Sequence, residues 1–169
     1  AAVPGAGMNI PLYILGSSLF GAQLAAKLGL PFAFASHFAP GALFQAIELY
    51  RAEFQPSAQL DKPYAIAGVN VIASHSDDDA QRQFELVRRQ RITRFLARDC
   101  ELTDTEIDVL VDSPQGRQVA QMMHYSAVGT AGEVATYLTQ FAKHADVDEV
   151  ITAHSSPTID ARLRSVELV

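Results

Sequence analysis

Two rhythms of apolar residues alternate along the chain. Short, nearly continuous runs read as strands buried on both faces, as in a parallel sheet. Longer stretches carry apolar residues three and four apart, which is the spacing of a helix with one buried side. The first run, Ile10 to Leu15, ends at Gly16-Ser17-Ser18. A helix is predicted next, with Leu19, Ala22, Ala26 and Gln23 on its inner stripe, and Gly29 is placed to cap it in the left-handed conformation. Phe32 to Ala35 forms the second run and ends in Ser36-His37. Pro40 suits a first helical turn, and Leu43, Ile47, Tyr50 and Phe54 recur at helical spacing up to Pro56.

Tyr64 to Ala73 is the third run. Ser76 and the triplet Asp77-Asp78-Asp79 predict the start of a long helix, because carboxylates favour the positive end of the helix dipole. Its buried side is expected to carry Phe84, Val87, Arg91, Ile92 and Phe95. Thr103 with Glu106, and Thr130 with Glu133, match the capping box, while Ser113-Pro114 is an N-cap followed by proline at the first helical position. Val147 to Ala153 is the fourth strand run, and a last helix is expected from Ser156-Pro157. The resulting order is β-α-β-α-β, a long helical excursion over residues 88–128, then α-β-α. Strands alternating with helices favour an α/β fold with parallel pairing.

Charge and composition narrow the function classes. The 169 residues carry 19 acidic and 13 basic side chains, a net charge of −6, which argues against a dedicated nucleic-acid binder. With one cysteine, Cys100, neither a disulfide framework nor a multi-cysteine zinc site is possible within the chain. That count fits a reducing cytoplasm, the expected location. Gly, Pro, Ser or His interrupts every apolar stretch before the roughly 18 residues of a membrane span, so no membrane partner is expected. The excursion concentrates charge, with Arg88, Arg89, Arg91, Arg94 and Arg98 followed by Asp99, Glu101, Asp104, Glu106, Asp108 and Asp112. Local pairing and solvation explain such blocks; an arginine cluster on a phosphate or a partner subunit is the alternative.

Ligands of parallel α/β folds sit beyond the carboxyl ends of the strands. Those ends present Gly16, Ser17 and Ser18, then Ser36 and His37, then Ser74 and His75, then His154 and Ser155. Glycine, two hydroxyls and a helix N-terminus suit a phosphate, although the same sequence is also an ordinary N-cap. His37, His75 and His154 could converge as a metal site of a hydrolase, but no metal-ligand spacing reinforces them, and a polar or substrate-facing lining is the simpler reading. His124 and His144 fall on predicted helices. The sequence offers no GxSxG elbow, no dinucleotide fingerprint and no acid–base pair, so no catalytic residue is assigned. A cofactor that carries the chemistry would account for that absence.

The segment PLYILGSSLFGAQLAAKLGLPFAFASHF, from Pro11 to Phe38, resembles the bacterial luciferase-like flavin-dependent monooxygenases of the alkanal-monooxygenase-like branch. AIELYRAEFQPS, YAIAGVNVIASHSDDDAQRQF, SAVGTAGEVATYLTQF with its VG[ST]xxEV pattern, and VDEVITAHS follow in the family's order. The resemblance implies half of a (β/α)8 TIM barrel over residues 1–169, with strands like the fifth to eighth and the excursion 88–128 inserted before the last βα unit. It implies reduced FMN, supplied by a separate reductase, with its phosphate near Gly16, Ser17, Ser18, Leu19 and Phe20, and His37 and His154 lining the substrate pocket. The reaction implied is attack of a peroxyflavin, formed from reduced flavin and O2, on an aldehyde-like substrate.

Segments matching the first four strands are not in this chain, and it begins without Met, as the middle of a longer sequence would. A half barrel exposes two strand edges and its inner face. The expectation is therefore a fragment inactive alone, completed by a missing N-terminal half or by a second copy in a homo-oligomer. A non-catalytic, flavin-binding or dimerising half-barrel module is the alternative.

Overall fold

The protein is described by a computed structural model covering residues 5, 7–98 and 100–169. Among these residues, five parallel strands and seven α-helices follow in the order β1 (Ile14–Gly16), α1 (Leu19–Leu28), β2 (Phe32–Phe34), α2 (Leu43–Glu53), β3 (Ala65–Ala73), α3 (Asp77–Leu96), α4 (Asp104–Asp112), α5 (Pro114–Gln121), β4 (Ser126–Gly129), α6 (Ala131–His144), β5 (Glu149–His154) and α7 (Ile159–Glu167). A single turn of 3-10 helix, Pro40–Ala42, leads into α2.

The sheet is built on β3, whose nine residues are all buried. Its apolar sequence, broken only by Gly68 and Asn70, is what a strand covered on both faces requires. Ala65, Ile66 and Ala67 pair with β2, and Asn70 to Ala73 pair with β4. The stretch Ile66 to Val71 pairs with β5 and so overlaps both. Since a strand has only two edges, β2 and β4 lie end to end along one edge of β3 while β5 takes the other. Strand β1 continues beyond β2.

The alternation of side chains along β3 divides the two faces. Ala65, Ala67, Val69, Val71 and Ala73 face α1, α2 and α6 and form the main core with Phe32, Phe34, Leu43, Ile47, Tyr50, Val134 and Phe141. Small residues let α1 lie close to the sheet, with Gly21, Ala22, Ala25 and Ala26 buried. The buried Tyr50 hydroxyl donates to the Leu30 carbonyl (2.9 Å) and accepts the Tyr64 amide (3.0 Å), tying α2 to the entrances of β2 and β3.

Ile66, Gly68, Asn70 and Ile72 point to the opposite face, which a closed barrel would turn inward. Near the strand ends this face is covered by α3: Ile72 packs with Ala80, Val87 and Met123. On the flanking strands β1 and β5 it is open. Leu15 of β1 is 73% exposed and Ile151 of β5 is 50% exposed. A third cluster, Ile92, Val111 and Val119, fastens α4 and α5 to the far half of α3.

The expected strands and capping motifs are present with three differences. Strand β1 starts at Ile14 rather than Ile10, and the backbone of Leu12 is bonded instead by the Gln59 side chain. Strand β4 was not among the four expected strands. It has four residues and one apolar–polar alternation too short to stand out, and the free edge beside Asn70–Ala73 recruits it. The last helix starts at Ile159, because Thr158 rather than Ser156 accepts the capping amide, from Ala161. Residues 88–128 hold the second half of α3, α4, α5 and the first part of β4. Both capping boxes, Thr103–Glu106 and Thr130–Glu133, form as the spacing predicts.

Candidate functional site

The carboxyl ends of the strands gather most of the polar residues singled out in the sequence. Gly16 closes β1, and Ser17 and Ser18 are exposed ahead of α1. Ser18 occupies the N-cap position in an extended conformation, yet its side chain makes no capping bond, and α1 has no acidic residue in its first turn. By contrast, Ser76, Thr103 and Thr158 all cap their helices through the side chain, and each of those helices has an acidic first turn. The hydroxyls at the start of α1 are thus uncommitted within the described residues. Leu19 is half-buried and Phe20 is 74% exposed.

The three histidines diverge. The His37 ring lies against Gly68 on the inner face of the sheet, where glycine alone leaves room for it. The His37 carbonyl accepts from the Asn70 side-chain amide at 2.8 Å, and Ser36 beside it donates to the Gly68 carbonyl at 2.6 Å. Nδ1 of His37 is buried without a partner among the described residues. Burial, and secondarily the nearby Arg91 guanidinium, hold the ring below the usual histidine pKa. His154 pairs opposite Val71 and therefore turns to the other face. There its Nδ1 lies 2.7 Å from the hydroxyl of Ser165 on α7. Burial lowers its pKa as well. His75 is exposed at the entrance to α3. Among the described residues, no group of three or more His, Cys, Asp or Glu side chains could hold a metal ion.

Ser165 is a residue that sequence reasoning missed. It is fully buried on α7 and also accepts the Ala73 amide at 2.9 Å, so it closes the end of β3 and positions His154. Nothing in its sequence surroundings signals this, since the partners are 92 and 11 residues away. Ser165→Ala leaves the buried Ala73 N–H unpaired, and a loss of about 1–3 kcal/mol in unfolding free energy is expected by denaturant titration. Undiminished stability would show that the bond contributes nothing.

A pH dependence follows from the two histidines. Both fold with lowered pKa values, so the unfolded chain binds protons first as the pH falls below the ordinary value of 6.5. Their contribution is complete above that value and is lost as the pH falls toward their folded pKa values. The thermal midpoint is expected to fall between pH 7.5 and pH 5, and His154→Gln should reduce the slope. A midpoint unchanged over that window would contradict the assignment.

Between α3 and α4 on one side and the β5–α7 connection on the other runs an open cleft of about 1560 Å³. Phe38, Leu86, Val87, Ile107 and Met122 supply its apolar wall. His154, Ser155, Ser156 and Pro157 line its other side. Arg89, Arg91, Arg94, Arg98 and Arg162 also line it, against the single carboxylate of Asp104 among the described residues. The excursion's charges are thus only partly paired: Arg89 pairs with Asp108 and Arg88 with Glu85.

A parallel α/β sheet with polar strand ends, one face helix-covered and the other partly open, defines a portion of a (β/α)8-type barrel. The model of the luciferase-like monooxygenase family matches residues 1–150, and the chain belongs to that family. It is 42% identical over 168 residues to a luciferase-like monooxygenase of Escherichia coli K12, covering 98% of this chain and 50% of that protein. It is 35% identical over 170 residues to the uncharacterized protein YvbT of Bacillus subtilis, covering 99% and 51%. Among solved structures, apo-MsnO8 superposes with a TM-score of 0.77 at 28% identity, covering 98% of this chain and 51% of that one. The long-chain alkane monooxygenase LadA shares the fold, with a TM-score of 0.63 at 16% identity, over 93% of this chain and 39% of that one. The chain thus spans about half the length of the relatives it matches. No helix among the described residues is long and apolar enough to cross a membrane.

Proposed function

We propose that the chain is the flavin-phosphate-binding half of an FMN-dependent monooxygenase that oxidises an aldehyde-like substrate with O2. The observation that carries this reading is the start of α1. There Ser17 and Ser18 hold uncommitted hydroxyls at a helix N-terminus free of acidic residues, in a chain of the luciferase-like monooxygenase family. A phosphate fits that donor set: amides and hydroxyls without a competing carboxylate.

Gly16, Ser17 and Ser18 would hold the phosphate, with Leu19 and Phe20 beside it. Bound reduced flavin would supply the electrons that activate O2. The protein's own contribution is orientation and exclusion of water. His37 presents a neutral ring on the inner face, fixed through its backbone by Asn70, and His154 lines the cleft beyond β5. The open inner face, with Leu15 and Ile151 exposed, and the edges of β1 and β5 left unpaired among the described residues would be covered by the rest of the barrel, in a longer chain or a second copy. The reductant arrives from a separate reductase, and the half barrel by itself does not turn over.

The test uses flavin titration of the completed barrel, followed by absorbance and fluorescence. Ser17→Ala combined with Ser18→Ala is expected to weaken FMN about ten-fold or more, the effect of losing hydrogen bonds to a charged group. Riboflavin, which lacks the phosphate, should be unaffected. Equal FMN affinity in the double variant would overturn the phosphate assignment, and binding of a deazaflavin in place of FMN would overturn the choice of cofactor.

A further inference from the structure

We infer that the cleft between α3 and the β5–α7 connection is an organic-anion site, anchored by Arg91, which selects substrates carrying a carboxylate on an apolar body. This rests on the monooxygenase reading for the word substrate, but not for the site itself.

The whole chain carries a net charge of −6, yet five arginines and one carboxylate line this cleft among the described residues. Arg91 stands apart from the other four. It is half-buried on the inner side of α3, four residues after the buried Val87, and makes no ion pair or hydrogen bond among the described residues. Of the other arginines on the same helix, Arg88 pairs with Glu85 and Arg89 with Asp108, while Arg94 is exposed to solvent. Among the described residues no carboxylate offsets the burial of Arg91, which draws its pKa below the ordinary guanidinium value, and its charge is felt by His37. A half-buried guanidinium without an anion is costly to maintain unless a ligand supplies one.

A second observation points to the same ligand. Ser156 lines the cleft, is fully buried, and leaves its hydroxyl without a hydrogen-bond partner among the described residues. The chain around it is held in place: Ser155 donates to Asn70 Oδ1 at 3.4 Å, and Arg162 donates to the Ser156 carbonyl at 3.4 Å. The guanidinium would grip a carboxylate through two parallel bonds, and the Ser156 hydroxyl, closed to solvent in the free protein, would reach it by turning into the cleft. Phe38, Val87 and Met122 would take the apolar remainder. Ser17 and Ser18 are not part of the cleft lining, so the anion accommodated here is distinct from the one proposed at α1.

Binding is measured on the completed barrel by calorimetry, with no reductant present and so without turnover. The probes are hexanoate, 6-oxohexanoate, hexanal and FMN. Hexanoate and 6-oxohexanoate are expected to bind at least ten-fold more tightly than hexanal. Arg91→Met should abolish that preference, Arg91→Lys should restore part of it, and Ser156→Ala should weaken the carboxylates a few-fold. Thermal midpoints of the variants without ligand identify any that fail to fold, in which case Arg91→Lys and Ser156→Ala carry the comparison. Carboxylates bound no better than hexanal, or equally by wild type and Arg91→Met, overturn the proposal. A loss of FMN affinity in Arg91→Met larger than the loss of carboxylate affinity also overturns it, by assigning the anion to the flavin phosphate. Failure of FMN to bind at all, with carboxylate selectivity intact, counts against the flavin reading and leaves the anion site standing.

Discussion

Gly29→Ala is expected to lower unfolding free energy by about 3 kcal/mol, a large fraction of a domain's total stability. Gly29 ends α1 with φ at +61°, and its amide closes the helix by donating to the Ala25 and Ala26 carbonyls. A side chain raises the energy of that conformation by itself. The larger effect is steric. An added Cβ would strike the Gln55 carbonyl oxygen and come within 2.6 Å of Ser57 Cβ and 2.9 Å of Ser57 N. These contacts are largely backbone and cannot swing aside. Ser57 also donates to the Gly29 carbonyl at 2.8 Å, so the clash falls on a bond that holds the α2–β3 connection against the end of α1. Urea titration is the check: a midpoint within error of wild type would show that the connection yields freely. Because this connection supports the entrances of β2 and β3, a shift there would also loosen β3, which carries Gly68, and the turn after β2, which carries His37.

Gly68→Ala acts on the other face of the sheet and separates stability from site geometry. The new Cβ would run into the His37 ring, with Cγ and Cε1 at 3.1 Å and Nδ1 nearer still. The ring must turn away, since its backbone is held by the Asn70 amide. Stability should fall by about 1–3 kcal/mol, the usual range for overpacking. The specific result lies in the titration of His37 by NMR. Burial is the main cause of its lowered pKa, so a ring displaced from the inner face should titrate closer to an ordinary histidine. A pKa unchanged in Gly68→Ala would mean that the ring is not held where the sheet places it.

Much of the site was legible as a set of addresses. Gly16, Ser17 and Ser18 read as a strand end leading into a helix, and they are one. His37 and His154 read as residues at or just after strand ends: His154 is the last residue of β5, and His37 lies in the turn that follows β2. Legibility stopped at direction. Nothing in the spacing of His37, His75 and His154 told which face each would take, because that depends on register: His154 sits opposite Val71 and turns to α7, whereas His37 lies over Gly68. Arg91 was legible as part of a helix's buried side, and the excursion's arginines as a charged block. Which of them would find a carboxylate depended on how α4 folds back on α3, which gives Arg89 its Asp108 and leaves Arg91 without one among the described residues.

The division has a physical basis. Local sequence determined the elements whose causes are local: continuous apolar runs for buried strands, capping boxes at Thr103 and Thr130, proline after Ser113, and glycine at the end of α1. It also carried the family resemblance, because the pattern from Pro11 to Phe38 is contiguous. Tertiary structure alone decided the rest. A four-residue strand such as β4 has too few side chains to declare itself and forms because β3 offers an unpaired edge. Ser165 becomes a partner of Ala73 and His154 only once α7 packs across the end of the sheet. The cleft likewise exists only where α3, α4 and the β5–α7 connection meet, bringing Arg91 and Ser156, 65 residues apart in sequence, to one lining. Contacts of that range are set by the packing of whole elements, which no short window of sequence contains.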